Sequence, residues 1–232
     1  DPTGNNVFVK VREEVKAETS PSLTAVVREP KNTNEDAPVL ILFHGYGSNE
    51  HDLFNLFSSI PENWYIVSVR APYELASNQY AWYNGERTND TISIDVEMEK
   101  KSRTAVSEYI EQFIETHNVD QNKIVAAGFS QGAGLALTLM LTEPDKIHAA
   151  ACFSGRVMDQ VRPSIEKHPA IQSKELFIGH GTSDARSPMK VVEDHKKWVE
   201  SFGVNVSLKT YDMGHSMSQE EVAHFTEWLN QL

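Results

Sequence analysis

Apolar residues in this chain collect into short, nearly unbroken runs, separated by longer stretches in which apolar positions recur every three or four residues. Residues 39–43 (VLILF) form the clearest run; with no polar position to give one face to water, it predicts a strand covered on both sides. Similar runs at 64–69, 124–127, 149–153, 175–178 and 204–211 predict further strands. Between most of them lie helical patterns. Residues 95–117 carry Val96, Ala105, Val106, Tyr109, Ile110, Phe113 and Ile114 at roughly the spacing of one helix face. Residues 191–202 and 218–232 repeat that pattern, the latter opening on Ser218 with Glu221 three residues on, a capping-box signal. Strands alternating with helices imply βαβ crossovers, and so an α/β architecture with a mainly parallel central sheet and helices on both faces.

Two stretches break the alternation. Residues 7–12 and 23–28 alternate or are rich in β-branched residues, and the break at Ser20-Pro21-Ser22 makes them an expected antiparallel pair within residues 1–30. Residues 71–94 show no clear period and far exceed the usual connection of about 4–6 residues. Loops of that length in compact domains tend to be functional, and this one carries Tyr73, Tyr80, Trp82 and Tyr83.

Composition narrows the partners. With 232 residues, 40% of them hydrophobic, the chain suits one globular domain spanning 1–232. A formal net charge of -12, with no basic run to offset it, disfavours nucleic acid and anionic lipid surfaces. No apolar stretch approaches the roughly 18 residues of a membrane span, so no stable membrane insertion is expected. Cys152 stands alone in a small apolar run and reads as a buried hydrophobe. The expected compartment is the cytoplasm, although the start at Asp1 rather than Met is compatible with a removed signal peptide. A monomer or homodimer is expected.

Candidate chemistry comes from the residues just after each strand, because ligands in such sheets bind beyond the strands' carboxyl ends. The runs lead in turn into His44-Gly45-Tyr46-Gly47, Gly128-Phe129-Ser130-Gln131-Gly132, Gly179-His180-Gly181-Thr182-Ser183-Asp184 and Asp212-Met213-Gly214-His215. Gly-x-Ser-x-Gly between strand and helix has two readings. Ser130 is either a helix N-cap among small neighbours or a nucleophile lifted on a sharp turn, with the Gln131 backbone N–H facing developing negative charge. A serine hydroxyl needs a base oriented in turn by an acid. Asp184 and His215 supply both in the required chain order. His195 and His224 fall within predicted helices and His180 precedes Asp184, which disfavours each as the base. Asp212, three residues before His215, is the rival acid, but its side chain would have to double back. The Tyr46 backbone N–H is the natural second oxyanion donor, with His44 structural beneath that loop. A zinc site from His44, His51, His180 and His215 lacks a recognisable ligand spacing, so no metal is expected.

Taken together, Phe43-His44-Gly45-Tyr46-Gly47, Gly128-Phe129-Ser130-Gln131-Gly132-Ala133, His180-Gly181-Thr182-Ser183-Asp184 and Gly214-His215-Ser216-Met217 resemble the phospholipase/carboxylesterase family of α/β-hydrolases, which includes the acyl-protein thioesterases. The resemblance spans roughly residues 39–232. It implies an α/β-hydrolase fold, Ser130 as nucleophile with Asp184 and His215 as its partners, and Tyr46 and Gln131 as oxyanion donors. It also implies hydrolysis of small-molecule carboxylic esters or thioesters without a cofactor. Trp82, Tyr83, Phe129 and Met217 are the expected substrate contacts. The loop aromatics, reaching back over Ser130, would form a crowded wall suited to small, medium or aromatic acyl groups. Acyl-protein thioesterase or lysophospholipase activity is the near alternative, and a non-catalytic hydrolase-fold binding protein the distant one.

Overall fold

The computed structural model describes residues 21, 23–31, 36–87 and 92–232. The predicted strand at 7–12 lies outside the described residues. The second half of the expected antiparallel pair is strand β1 (Thr24–Arg28), and its partner in the sheet is β3 (Tyr65–Arg70), with Thr24 opposite Arg70 and Val27 opposite Val67.

The remaining long strands are β2 (Ala37–Phe43), β8 (Val119–Phe129), β9 (Ala149–Phe153), β10 (Glu175–Gly181) and β11 (Asn205–Tyr211). They complete a seven-stranded sheet in the order β1-β3-β2-β8-β9-β10-β11, in which every pairing except β1–β3 is parallel. The apolar runs become strands because both sheet faces are covered. Val39, Ile41 and Phe43 of β2 join one core with α2 (Val96–Thr116), α3 (Gln131–Thr142) and α4 (Met189–Glu200). Leu40 and Leu42 join the other, with α1 (Glu50–Leu56) and α5 (Gln219–Leu229). The period-2 alternation of a strand thus feeds two apolar layers. Of α3, only Gln131 and Thr142 escape full burial, which explains why its apolar residues run all round rather than along one face.

Helix ends follow their sequence signals. The Asp95 side chain accepts from the Met98 N–H at 2.9 Å and starts α2. Ser218 does the same for α5, accepting from the Glu221 N–H at 3.1 Å. The reciprocal half of the capping box does not form: Glu221 is wholly buried, and neither carboxylate oxygen has a partner among the described residues. The side chain turns inward against Gly179, where an added Cβ would lie 2.1 Å from Glu221 Oε1.

Helix α1 has no counterpart among the predicted elements. At seven residues it is too short to display a period, and it is held instead by the Asn49 cap and a tertiary ion pair. Glu50, 1% exposed, accepts from Arg70 Nε at 2.7 Å and Nη2 at 2.5 Å. The Arg70 guanidinium lies 4.7 Å over the Tyr80 ring. The long connection at 71–94 proves to hold two hairpins, β4 (Tyr73–Ala76) with β5 (Gln79–Ala81) and β6 (Gly85–Arg87) with β7 (Ile92–Ile94). Among the described residues, no helix is long and apolar enough to cross a membrane.

Candidate active site

Strand β8 ends at Phe129 and α3 begins at Gln131, leaving Ser130 alone to make the turn. It does so at φ 52°, ψ -110°, a conformation unfavourable for any residue with a Cβ. The turn is possible because its flanks lack side chains. A Cβ on Gly128 would meet Gly132 backbone atoms at 2.4 Å, and one on Gly132 would meet the Phe43 carbonyl oxygen at 2.1 Å. Ser130 makes no side-chain cap bond to α3, so the N-cap reading does not describe its hydroxyl.

That hydroxyl instead meets a histidine from the far end of the chain. Ser130 Oγ lies 2.9 Å from His215 Nε2, and His215 Nδ1 lies 2.8 Å from Asp184 Oδ2. The loop after β10 supplies Asp184 and the loop after β11 supplies His215, so three strand ends converge at one edge of the sheet. Asp184 is 3% exposed, and its Oδ1 accepts from the backbone N–H groups of Arg186 (2.8 Å) and Ser187 (3.1 Å). Burial pushes its pKa upward, but the bond from His215 and these two amides outweigh burial and hold it below the ordinary value. Asp212 is exposed.

The other histidines have other partners. His44 is buried, with Nδ1 2.8 Å from the Gly45 carbonyl and Nε2 accepting from the Ala71 N–H at 3.0 Å. Burial lowers its pKa, consistent with a neutral structural ring bracing two loops. His195 Nε2 accepts from the Val157 N–H at 3.1 Å, and burial with nearby Arg162 and Arg156 lowers its pKa to about 3. His180 Nε2 donates to the Ser187 carbonyl at 2.7 Å. Cys152 is fully buried in β9, and burial pushes its thiol pKa up.

A cleft of about 260 Å³ opens beside Ser130 and His215. Tyr46, Gln131 and Tyr83 of the expected site residues line it. Gln131 is the first residue of α3, so its backbone N–H has no intrahelical partner. Its side chain has a role the sequence did not suggest: Oε1 accepts from the Trp82 N–H and Nε2 donates to the Tyr83 carbonyl, both at 2.8 Å, tying the long connection to the elbow.

Three expected substrate contacts are not among the cleft's lining residues. Trp82 is 0% exposed, its indole N–H donates to the His44 carbonyl at 2.9 Å, and its ring packs edge-on against Phe43. It is therefore a core side chain rather than a cleft wall, because an indole that finds both apolar cover and an acceptor is more stable inside. Phe129 sets its ring 5.1 Å from that of His215, and Met217 packs on the core beneath α1 and α5; neither is among the cleft's lining residues. The lining adds Ile92, Ile94, Arg156, Met158, Arg186 and Ser187. Arg156 lies just beyond a predicted strand, so the strand-end rule alone could have found it; nothing in the local pattern marks Ile92 and Ile94.

Residues 24–232 match the phospholipase/carboxylesterase family. Among curated relatives, a putative hydrolase MhqD of Bacillus subtilis (strain 168) is 27% identical over 198 residues, 85% of this chain and 94% of that protein. Acyl-protein thioesterase 1 of Kluyveromyces lactis is also 27% identical, covering 83% of this chain and 90% of its own. Among solved structures, the Bacillus cereus carboxylesterase superposes with a TM-score of 0.77 over 90% of this chain and 94% of its own, at 24% identity, and so shows the same fold. The match spans the whole described sheet and every strand end at the cleft, and the chain accordingly belongs to the phospholipase/carboxylesterase family of α/β-hydrolases.

Proposed function

We propose that the protein is a serine carboxylesterase that hydrolyses esters of small or medium acyl groups through an acyl-enzyme. The observation that carries this reading is the continuous chain of hydrogen bonds from Ser130 Oγ through His215 to Asp184 at the mouth of a cleft. His215 Nε2 takes the hydroxyl proton as Ser130 Oγ attacks the ester carbonyl, and Asp184 holds the ring with Nδ1–H facing it and stabilises the imidazolium. The oxyanion is received by the backbone N–H groups of Tyr46 and Gln131. Collapse expels the alcohol, which leaves with the proton from Nε2. Water, deprotonated by the same nitrogen, then attacks the acyl-enzyme and releases the acid and the free serine. No step calls for a cofactor or a metal.

The strained φ of Ser130 supports this assignment, because such backbone persists where the surrounding structure over-determines it. The cleft volume, near the lower end of small-molecule sites at about 300 Å³, supports a small or medium acyl group. A second reading, thioester hydrolysis, is supported by the similarity to Acyl-protein thioesterase 1. Matched oxygen and sulfur esters of one acyl group separate the two.

Ser130→Ala is expected to abolish turnover of a nitrophenyl ester while leaving the circular dichroism spectrum unchanged. A fluorophosphonate probe should label the wild-type protein once, at Ser130. Substantial residual turnover in the variant, or labelling at another residue, would sink the mechanism.

A further inference from the structure

The loop that leaves β9 abuts the elbow from the side opposite to β2. The Ser130 N–H donates to the Phe153 carbonyl at 2.9 Å, and a Cβ on Gly155 would come within 2.3 Å of the Ser130 carbonyl oxygen. Ser154, Gly155 and Arg156 all line the cleft. Ser154 is held at φ 50° and is 2% exposed, and its Oγ has no hydrogen-bond partner among the described residues. A buried hydroxyl without a partner is costly unless a ligand or water completes it.

Arg156 has unused capacity of the same kind. Its side chain is 18% exposed, and among the described residues its guanidinium donates no hydrogen bond. The acid nearest to it among the described residues, Asp159, stands at 3.7 Å, is itself 70% exposed, and is closer to Arg162 at 3.2 Å. Five N–H donors in a planar fork match a carboxylate better than any other anchor on this wall. Arg186 lines the same cleft, whereas Glu86, exposed on β6, is the acidic residue of the lining among the described residues. Among the described lining residues, two guanidinium groups stand beside one carboxylate, in a chain whose net charge is -12. The same lining includes the apolar side chains of Ile92, Ile94 and Met158.

We propose that the cleft selects esters whose acyl part ends in a carboxylate, with Arg156 holding the carboxylate, Ser154 Oγ as a further donor, and the intervening methylenes against Ile92, Ile94 and Met158. The arrangement rests on Ser130 as the nucleophile and names the substrate class of that same site. A bidentate guanidinium–carboxylate contact in a half-buried cleft fixes the far end of the acyl group. The same contact discriminates against an uncharged acyl of equal length, which would leave the arginine desolvated with no hydrogen-bonded anion.

The test compares the 4-nitrophenyl monoester of adipic acid with 4-nitrophenyl hexanoate, which have the same number of acyl carbons. The wild-type protein is expected to favour the adipate ester in kcat/KM, mainly through KM. Arg156→Met should lower the adipate-to-hexanoate ratio at least tenfold, and Arg156→Lys should recover part of it by restoring the charge without the fork. Damage to the fold affects both esters and cancels in the ratio. Arg186 is left unaltered because it lies in the loop whose backbone holds Asp184, so that a shift of that loop would disturb both esters. A ratio unchanged in Arg156→Met, or a wild-type preference for hexanoate, overturns the proposal while leaving the esterase reading intact. Calorimetric binding of monomethyl adipate and methyl hexanoate to Ser130→Ala separates the two ideas. Arg156-dependent binding of the adipate ester without turnover by the wild type would count against Ser130 and for the anion site, and equal binding of both esters would count against the anion site.

Discussion

Ser130 occupies a backbone conformation that costs about 1–3 kcal/mol, and the surrounding residues are arranged so that no relaxed alternative fits. The Gly132 Cα presses against the Phe43 carbonyl, so α3 cannot shift to relieve the turn without parting from β2. At this scale the decisive partner is Asp184. Its two oxygens divide their work: Oδ1 is fixed by the Arg186 and Ser187 amides, leaving Oδ2 for His215. Asp184→Asn would put a donor or a neutral acceptor opposite Nδ1 and favour the wrong tautomer, so kcat should fall by on the order of 10⁴. Asp212→Asn, at an exposed position, should be mild. Steady-state kinetics of both variants on one nitrophenyl ester decide between the acids; the reverse ranking would displace Asp184 from the proposed mechanism.

Among elements, the connection between β3 and α2 shows how a stretch without a period can still be ordered. Its first hairpin is joined to the loop after β2 by the Gly47 N–H to Tyr80 carbonyl and Tyr80 N–H to Ser48 carbonyl bonds, both 2.9 Å. Trp82 then enters the core, bonded to His44, Gln131 and, through its carbonyl, Ser102 of α2. The aromatic density expected to shape an acyl pocket thus divides, Tyr83 facing the cleft and Trp82 joining it to the sheet. Trp82→Ala should cost about 3–5 kcal/mol through the cavity and the orphaned His44 carbonyl. Denaturant titration reads that loss. Relative rates on acetyl, butyryl and palmitoyl esters should keep their order, and a changed order would return Trp82 to the substrate pocket.

For the molecule as a whole, one contribution to pH sensitivity comes from a group outside the candidate site. Glu221 joins α5 to β10 with a buried carboxyl that has no hydrogen-bond partner among the described residues, and burial raises its pKa from 4.5 to about 8, the nearby Ser218 backbone opposing the shift. The folded protein therefore keeps this proton to about pH 8, whereas the unfolded chain releases it near 4.5. Stability from this group is complete below the lower value and declines as pH rises, by at most about 1.4 kcal/mol per unit. Glu221→Gln removes the titration. Unfolding by denaturant at pH 6 and pH 9 should show a smaller fall for the variant than for the wild type, and parallel falls would mean that Glu221 is ionised in the folded protein.

The sequence by itself determined the types of the longer elements and the edge of the sheet at which chemistry gathers. Strand runs such as 39–43 and helix stripes such as that in α2 record burial relative to their own backbone period, which is a local property. The chain order of Ser130, Asp184 and His215 likewise depends only on which strand precedes each of them. Whether a side chain in an aperiodic stretch points in or out was decided by the tertiary structure alone. Trp82 is buried because the His44 carbonyl and the Gln131 amide, 38 and 49 residues away along the chain, arrive at its indole and backbone N–H. Glu221 turns from its cap position to the core because Gly179, on another element, leaves the space a Cβ would fill. α1 exists because Arg70 reaches Glu50 from β3. Each of these depends on partners brought together only by packing, and a local pattern carries no record of which distant groups will meet.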